Sequence, residues 1–419
     1  MAKKLYVGVN GIARQVNNIY VGVNGVARKV IKGYVGVGGV ARLFYELITG
    51  GTTTLWSGQQ GNISGGMQTV SCVNYANGYW VVGGTYYDGT NVYARIAYTN
   101  DLNGSWTFKD LWSTERSSTN GYASVNFIDY SNGHWVAAGE YEKAVSISGG
   151  TNYQNIAQIA YTNDLNSEWT LNSVWDSGYF SCGINENNTW VLVGYDITNQ
   201  MWQIAYATSP NENWSIKTLI GEAGTTIMLN DITYFSERFY VVGSVRGGSA
   251  TQVIIYSVGQ DFTGSVISNS VWSGNESPQG LTIFYDSSNS VVAVGGSQAN
   301  NGNYSARIGY STVNSEGNFG NWSYNDLWEG DGEVNSITYD GNNWIIVGRQ
   351  YSNSSYIGTV GFSSQIEGSW SLNNISDFKI LNDIIYANGV YLAGGSNIVD
   401  NTQSVLVTYS NQINNLGQS

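Results

Sequence analysis

The 419-residue chain has one His, two Cys, two Pro and four Met, and only 11% of its residues are charged. Each scarcity excludes something. Two cysteines cannot hold a disulfide scaffold. One His and two Cys leave almost nothing for a zinc site. So little Lys and Glu argues against exposed helices, whose solvent faces need them. No run of about 18 apolar residues is present, so no membrane-spanning helix is expected. What is abundant is equally one-sided: 53 Gly, 31 Tyr and 15 Trp, with 42% hydrophobic and 14% aromatic residues. Aromatics at that level speak against disorder. The mixture of Val, Ile, Thr, Tyr and Trp with Gly, Asn, Ser and Asp is that of strands and turns.

Charge is unevenly placed. Residues 1–48 carry Lys3, Lys4, Arg14, Arg28, Lys29, Lys32 and Arg42 against Glu46 alone, a net +6 within a formal total of −13, which leaves −19 for the remainder. An acidic body repels polyanions, so nucleic acid is not expected as a ligand. The basic arm suits an acidic partner surface, or is simply the solvent side of a small sheet. Met1-Ala2-Lys3-Lys4 is followed by Leu5-Tyr6-Val7-Gly8-Val9-Asn10-Gly11 rather than an apolar h-region, so no secretion signal is expected.

Two internal repeats organise the chain. The first has a period of 14: Tyr6–Arg14 recurs at Tyr20–Arg28 and Tyr34–Arg42. Asn10-Gly11, Asn24-Gly25 and Gly38-Gly39 are type I′ turn dipeptides, so each unit reads as a hairpin. Three hairpins form a small meander with little core, which needs a neighbour: a second copy, the rest of the chain or a partner.

The second repeat fills residues 49–419 at a spacing of 46 to 55. Its anchor is an apolar residue with Gly four positions on: Trp80/Gly84, Trp135/Gly139, Trp190/Gly194, Phe239/Gly243, Val291/Gly295, Trp344/Gly348 and Val390/Gly394. A second landmark follows each, at Arg95, Gln158, Gln203, Val253, Arg307, Thr359 and Val405, and a terminal apolar–Trp pair closes several units, as at Leu111-Trp112. The first unit has apolar runs near 69–75, 79–85, 94–99 and 106–112. Four short antiparallel strands in each of seven units of this length predict an all-β, seven-bladed β-propeller. The seventh unit lacks its last strand, and Leu55-Trp56-Ser57-Gly58 before the first unit matches Val271-Trp272-Ser273-Gly274. Residues 53–57 are therefore expected to complete the last blade and close the ring.

Cys72 and Cys182 each lie eight residues before an anchor Trp, so they share one position two blades apart, beyond the ~7 Å reach of a disulfide. Two free, buried thiols are expected. His134 falls in a tight turn and reads as structural rather than catalytic.

Two resemblances follow from these residues. The 14-residue units, of the form YVGVNGVARKV, resemble short repeats near the ends of virion structural proteins in phages and prophages of Gram-positive bacteria. That implies a virion component assembled in the host cytoplasm and attached to other virion proteins through residues 1–48; the arm also suits self-association. Thr99-Asn100-Asp101-Leu102-Asn103-Gly104-Ser105-Trp106 and Thr162–Trp169 resemble the Asp-box of sialidase-type repeats, with one extra residue between Asp and Gly. Looser versions run from Thr208 to Trp214 and from Ser363 to Trp370, and the motif is degenerate in blades four, five and seven. The resemblance implies a structural role for Asp101, Trp106, Asp164 and Trp169. Sialidase activity would need three converging arginines and a Tyr/Glu nucleophile pair. Arg95 and Arg307 share a repeat position, Arg238 sits by a tight turn, and only Arg116, Arg246 and Arg349 fall in longer loops, so no catalytic set is assigned.

Propeller topology sorts the loops onto two faces. The tight turns share one, and the long, uneven connections share the other, where binding is expected. In blade two this connection runs from Glu140 to Ala157. The candidate ligand-binding residues there are Tyr86, Tyr87, Asp88, Tyr93, Arg116, Tyr141, Tyr153, Tyr195, Trp202, Arg246, Tyr304, Arg349 and Tyr351, with Tyr122 and Tyr356 beside them. Tyr and Trp bring flat apolar faces with polar tips, which suits sugars or a protein surface. No cofactor is expected. Asp/Asn-rich loops could hold calcium, but no EF-hand-like spacing is present. The leading expectation is a tail-fibre or baseplate protein binding host-surface glycan or protein. A sialidase-like or depolymerase glycosidase and an architectural capsid, neck or tail decoration are the alternatives.

Overall fold

The computed structural model describes residues 6–9, 12–15, 20–23, 26–29, 32–37, 40–46, 50–59, 68–115, 121–147, 150–220, 226–247, 250–274, 278–300, 303–328, 330–352, 354–399 and 402–417. Seven four-stranded antiparallel sheets make the body. Blades one to six span 69–113, 123–175, 178–220, 226–274, 279–328 and 333–375. The seventh takes three strands from 380–410 and its outermost strand, Gly51–Gln59, from the start of the chain. Trp56 there faces Val405 and Thr52 faces Thr408. The first strands of successive blades touch one another in cyclic order, and the last touches the first. The chain is a closed seven-bladed β-propeller.

Residues 1–48 contribute three further two-stranded sheets. Their registers pair Val9 with Ile12, Val23 with Val26 and Val37 with Val40. Among the described residues these hairpins do not pair with one another. The turn dipeptides themselves lie outside the described residues.

Local chemistry explains the regularity of the blades. Between first and second strands, Asn77-Gly78, Asn132-Gly133 and Asn388-Gly389 all have positive φ. That is the type I′ geometry whose twist matches the flanking strands. In every blade the first strand then carries a bulge. One residue is skipped between Val70 and Cys72, and likewise at 125/127, 180/182, 229/231, 280/282, 334/336 and 381/383. The residue before each bulge faces a glycine on the second strand: Gly84, Gly139, Gly194, Gly243, Gly296, Gly348 or Gly395. A Cβ on any of these would stand only 1.8–2.2 Å from a first-strand carbonyl oxygen. This is why the repeat needs glycine.

It also corrects two anchors. In blades five and seven the constrained glycine is the second of a pair, Gly296 and Gly395 rather than Gly295 and Gly394. The matching apolar residues are thus Val292 and Tyr391, both buried. By the same register Ile254 and Leu406, not Val253 and Val405, correspond to Arg95.

The bulge residue also joins blades. Asn126, Asn230, Asn335 and Asn382 each donate from Nδ2 to a first-strand carbonyl of the next blade, at 2.7–2.9 Å. Further out, terminal tryptophans do the same. Trp56, Trp112 and Trp328 donate from Nε1 to the carbonyls of Thr85, Glu140 and Arg349, each one residue past a constrained glycine, at 2.9–3.0 Å. Blade three has no terminal Trp, and Trp202 donates instead to Ile227 O at 2.9 Å. Apolar packing lies between blades: Leu55, Trp56, Leu392 and Val405 of the seventh meet Val70, Val73 and Trp80 of the first. The tail past Ser410 is not simply polar, since Ile413 and Leu416 pack beside Ile375 and Phe378.

Two buried carboxyls bridge blades next to the bulges. Asp383 accepts from Ser336 Oγ and Val73 N at 2.7 Å, and from Ile384 N at 2.8 Å. Asp231 accepts from Thr282 Oγ1 and Ile283 N at 2.9 Å. Burial outweighs these donors and pushes the two up to about 6 and about 7 respectively.

Two predictions follow from this geometry. Gly348→Ala should cost about 2–3 kcal/mol, because the obstacle is backbone. Gly89→Ala, at positive φ in open space, should cost about 1 kcal/mol. Thermal unfolding of both variants reads the contrast, and equal losses would contradict the bulge account. The carboxyls set a pH dependence. Unfolded Asp titrates near ~3.9, so between about pH 4 and 7 the native state holds more protons than the unfolded. Their contribution is fully present below that window and is lost as pH rises through about 6 to 7. The melting temperature should therefore be higher at pH 5 than at pH 8, and Asp231→Asn should narrow the gap; a rise from pH 5 to 8 would contradict it.

Candidate functional site

The tight-turn face holds the Asp-box hairpins. Thr99 Oγ1 accepts from Asp101 N at 3.1 Å and donates to Asp101 O at 2.9 Å, while Asp101 Oδ1 accepts from Asn103 N at 3.0 Å. Thr162, Asp164 and Asn166 repeat the pattern. Leu102 and Leu165 are buried beneath these turns. Trp106 lies in the packing between blades seven and one, and Trp169 packs against that between one and two. Blade seven is less degenerate than its sequence suggests, since Ser410 Oγ accepts from Gln412 N at 3.1 Å, as Ser363 does from Gln365. Arg238 belongs to this face and donates to Ser257 O at 3.3 Å. His134 opens a second strand here, edge-on to Tyr161.

On the opposite face the long connections are mostly strand. In blade two Glu140 pairs with Ala157, and the ladder continues to Ile147 opposite Gly150. Blades four to seven pair half as far past the constrained glycine, to Gly247/Ala250, Asn300/Asn303, Ser352/Ser355 and Val399/Thr402. Arg246 and Arg349 accordingly stand on strands, not loops; Arg116 lies outside the described residues.

The sequence candidates occupy distinct places around this face. In blade one, Tyr86 and Tyr93 stack at 6.1 Å and Arg95 lies 3.5 Å over Tyr86 while gripping Asp110 with two bonds of 2.6 and 2.9 Å. Asp88 accepts from Thr90 N, Asn91 N and Tyr93 OH, which hold its carboxyl below the usual range despite some desolvation. Tyr87 is buried, its hydroxyl on Gly89 O at 2.7 Å. In blade six, Arg349 pairs with Glu333 at 2.9 Å, lies 4.6 Å over Tyr356, and Tyr356 meets the exposed Tyr351 at 5.1 Å. Tyr304 of blade five backs this corner through Gly332 N. Arg246 is exposed on blade four. Tyr141 and Tyr153 are half-buried on the blade-two hairpin.

An aromatic cluster packs between blades three and four. Tyr195 was singled out, but it stands beside Tyr179, with ring centroids 6.0 Å apart, and both are braced by the buried Trp202 at 5.5 and 5.7 Å. Glu140 of blade two, one residue past Gly139, is buried and accepts from Asn155 Nδ2 at 2.9 Å. Burial pushes its carboxyl up to about 8, with Glu142 adding to the shift. Burial, with the charge of Glu140, also raises the Tyr122 hydroxyl to about 12 and Tyr179 further. The available signal was position: Glu140 is the counterpart of Arg349, one past the repeat glycine.

Among the described residues no group of three His, Cys, Asp or Glu is placed to hold a metal ion.

No family model matches the chain, and no curated protein does. Similar folds occur among solved structures. Trypanosoma rangeli sialidase bound to the inhibitor DANA is 8% identical, with a TM-score of 0.45 over 94% of this chain and 60% of that one. The β-propeller domain of Cps50 (Swd1) from Myceliophteria thermophila is 9% identical, with a TM-score of 0.46 over 85% and 99%. Sqt1 from Chaetomium thermophilum is 9% identical, with a TM-score of 0.44 over 81% and 83%. The chain thus spans about 60% of the length of the sialidase it matches. Likenesses this distant say nothing about ligand or chemistry.

Both cysteines are free, Cys182 buried and Cys72 half-buried. They occupy the same post-bulge position, and burial pushes both thiols well up, with Asp383 and Asp231 adding to the shift. A disulfide-exchange reagent at pH 8 should therefore find neither thiol in the native chain and two after denaturation. Rapid native reaction of either would contradict this placement.

Proposed function

We propose that this chain is a phage virion receptor-binding protein, carried in a tail fibre or baseplate. Its propeller binds a host-surface glycan or protein, and its first 48 residues attach it to the particle. The observation that carries this reading is the set of strand-borne aromatic and arginine side chains at the hairpin ends of one face. Tyr351 is 42% exposed, yet it is held by Tyr356, which Arg349 covers in turn. Tyr86 and Tyr93 are held in the same way by Arg95 and Asp110. Rings already ordered in the free protein lose little entropy on binding, which suits recognition by flat apolar contact. The N-terminal hairpins support the second half of the reading. Two-stranded ladders of four to six residue pairs are too short to be stable alone and need a partner to pack against.

The test uses the full chain on a glycan array and on host envelopes. Tyr351→Ala and Tyr86→Ala should leave the melting temperature nearly unchanged and weaken the best ligand about tenfold each. No array hit together with no adsorption to host cells would overturn the receptor reading; release of reducing sugar from envelope would favour a glycosidase. Deleting residues 1–48 should abolish incorporation into particles while leaving a folded ring, and a deletion variant still incorporated would overturn the attachment role.

A further inference from the structure

We propose that the ring is mounted with its tight-turn face toward the particle and its long-hairpin face outward. The inference rests on the reading that residues 1–48 hold the chain to a particle. It adds which face of the ring meets the protein that holds them.

The chain enters the ring at the turn face. Gly51, the first residue of the outermost strand of blade seven, is paired with Tyr409. The Tyr409 hydroxyl donates to Asn103 Oδ1 at 3.5 Å, and Asn103 lies in the Asp-box turn of blade one. Ser410, the next residue, opens the turn in which its Oγ accepts from Gln412 N. The far end of the same strand, Gln59, is paired with Thr402, which closes the Val399/Thr402 hairpin of the opposite face. At the usual rise of a strand, Gly51–Gln59 is about 26 Å long. Glu46, the last residue of the third hairpin, lies five steps before Gly51, a span of at most about 18 Å. The third hairpin is therefore tethered at the turn face, and its near end falls short of the long-hairpin face.

The two faces are also built differently. On the turn face one blade braces the turn of the next. Lys217 Nζ donates to Gly264 O and Asn325 Nδ2 to Ile366 O, both at 2.8 Å, and Lys109 Nζ donates to Ser167 O. The turn from third to fourth strand spans eight residues in blades one, two, three, four and six. The long-hairpin face is uneven. In blade two pairing continues to Ile147, eight residues past Gly139, whereas in blade three it ends at Asp196, two past Gly194. Braced turns of equal length lose little freedom when they meet a second protein surface, and several can touch it at once. Hairpins of unequal height suit a ligand approaching from outside, as variable connections on a rigid scaffold usually do.

The experiment places a cysteine on each face of one blade. Thr198 and Glu212 are both exposed in blade three, Thr198 beyond Asp196 on the hairpin side and Glu212 in the turn after Ala207. Glu316, exposed in the corresponding turn of blade five, gives a second position on the turn face. The native thiols stay silent, since burial holds both well up. Thr198→Cys, Glu212→Cys and Glu316→Cys are made in the full chain and labelled at pH 7 with a polymer-linked maleimide, and the gel shift is followed in time. On the free chain all three should react at similar rates. On intact particles Thr198→Cys should keep its rate, while Glu212→Cys and Glu316→Cys should slow at least about tenfold for want of access. Equal rates at the two faces on particles, or protection of Thr198→Cys instead, would overturn the mounting while leaving attachment intact. Absence of the wild-type chain from purified particles would overturn the attachment reading, and the mounting with it.

Discussion

A carbonyl oxygen lies against a glycine at the same place in all seven blades, and the rest of the ring depends on that contact. The bulge that brings it there turns the first strand so that one extra residue points toward the next blade. Where that residue is Asn, it reaches the neighbouring backbone. Where Asp follows the bulge, in blades four and seven, its carboxylate binds backbone N–H groups across the same gap. A side chain on the glycine would displace the strand pair and these bonds together. Local backbone geometry therefore sets the contact between blades, which is where nearly all the apolar burial lies.

The same contact positions the candidate site. One residue past each constrained glycine, the second strand leaves the crowded bulge and approaches the open face. That position holds Thr85, Glu140, Tyr195, Ser244, Ser297, Arg349 and Ser396 in turn. Backbone geometry there repeats almost unchanged, so differences between blades are differences of side chain on a common frame. In blade six the choice is an arginine matched to an acid. In blade two it is a buried acid that accepts from Asn155. Tryptophan indoles fasten the carbonyls of several of these positions, so the frame is held from the outer strand as well as from the axis.

The architecture was largely legible because a propeller repeats its physics. Seven copies of an apolar run ending in Gly, a two-residue turn and a displaced Leu55-Trp56 were sufficient for blade number, strand number and closure. The errors fall where two residues of the same kind adjoin. Gly295-Gly296 and Gly394-Gly395 offer two candidates for one role, and only the bulge on the partner strand chooses between them. Gly, Asn and Ser dominate the hairpin ends and read as loop in sequence, whereas pairing continues wherever the opposite strand supplies a partner, as at Asn300 and Asn303. Trp202 and Tyr87 show that aromatics near the open face can serve wholly as packing.

Closure of the ring by its first strand is the claim on which the account rests most heavily, and amide hydrogen exchange on the full chain measures it. Thr402–Ser410 is an interior strand only if Gly51–Gln59 covers its outer edge. Its amides should then exchange as slowly as those of Val92–Thr99, the corresponding interior strand of blade one. Exchange at the rate of an exposed outer strand such as Thr107–Ser113 would contradict closure, and with it the rigid frame that the site requires.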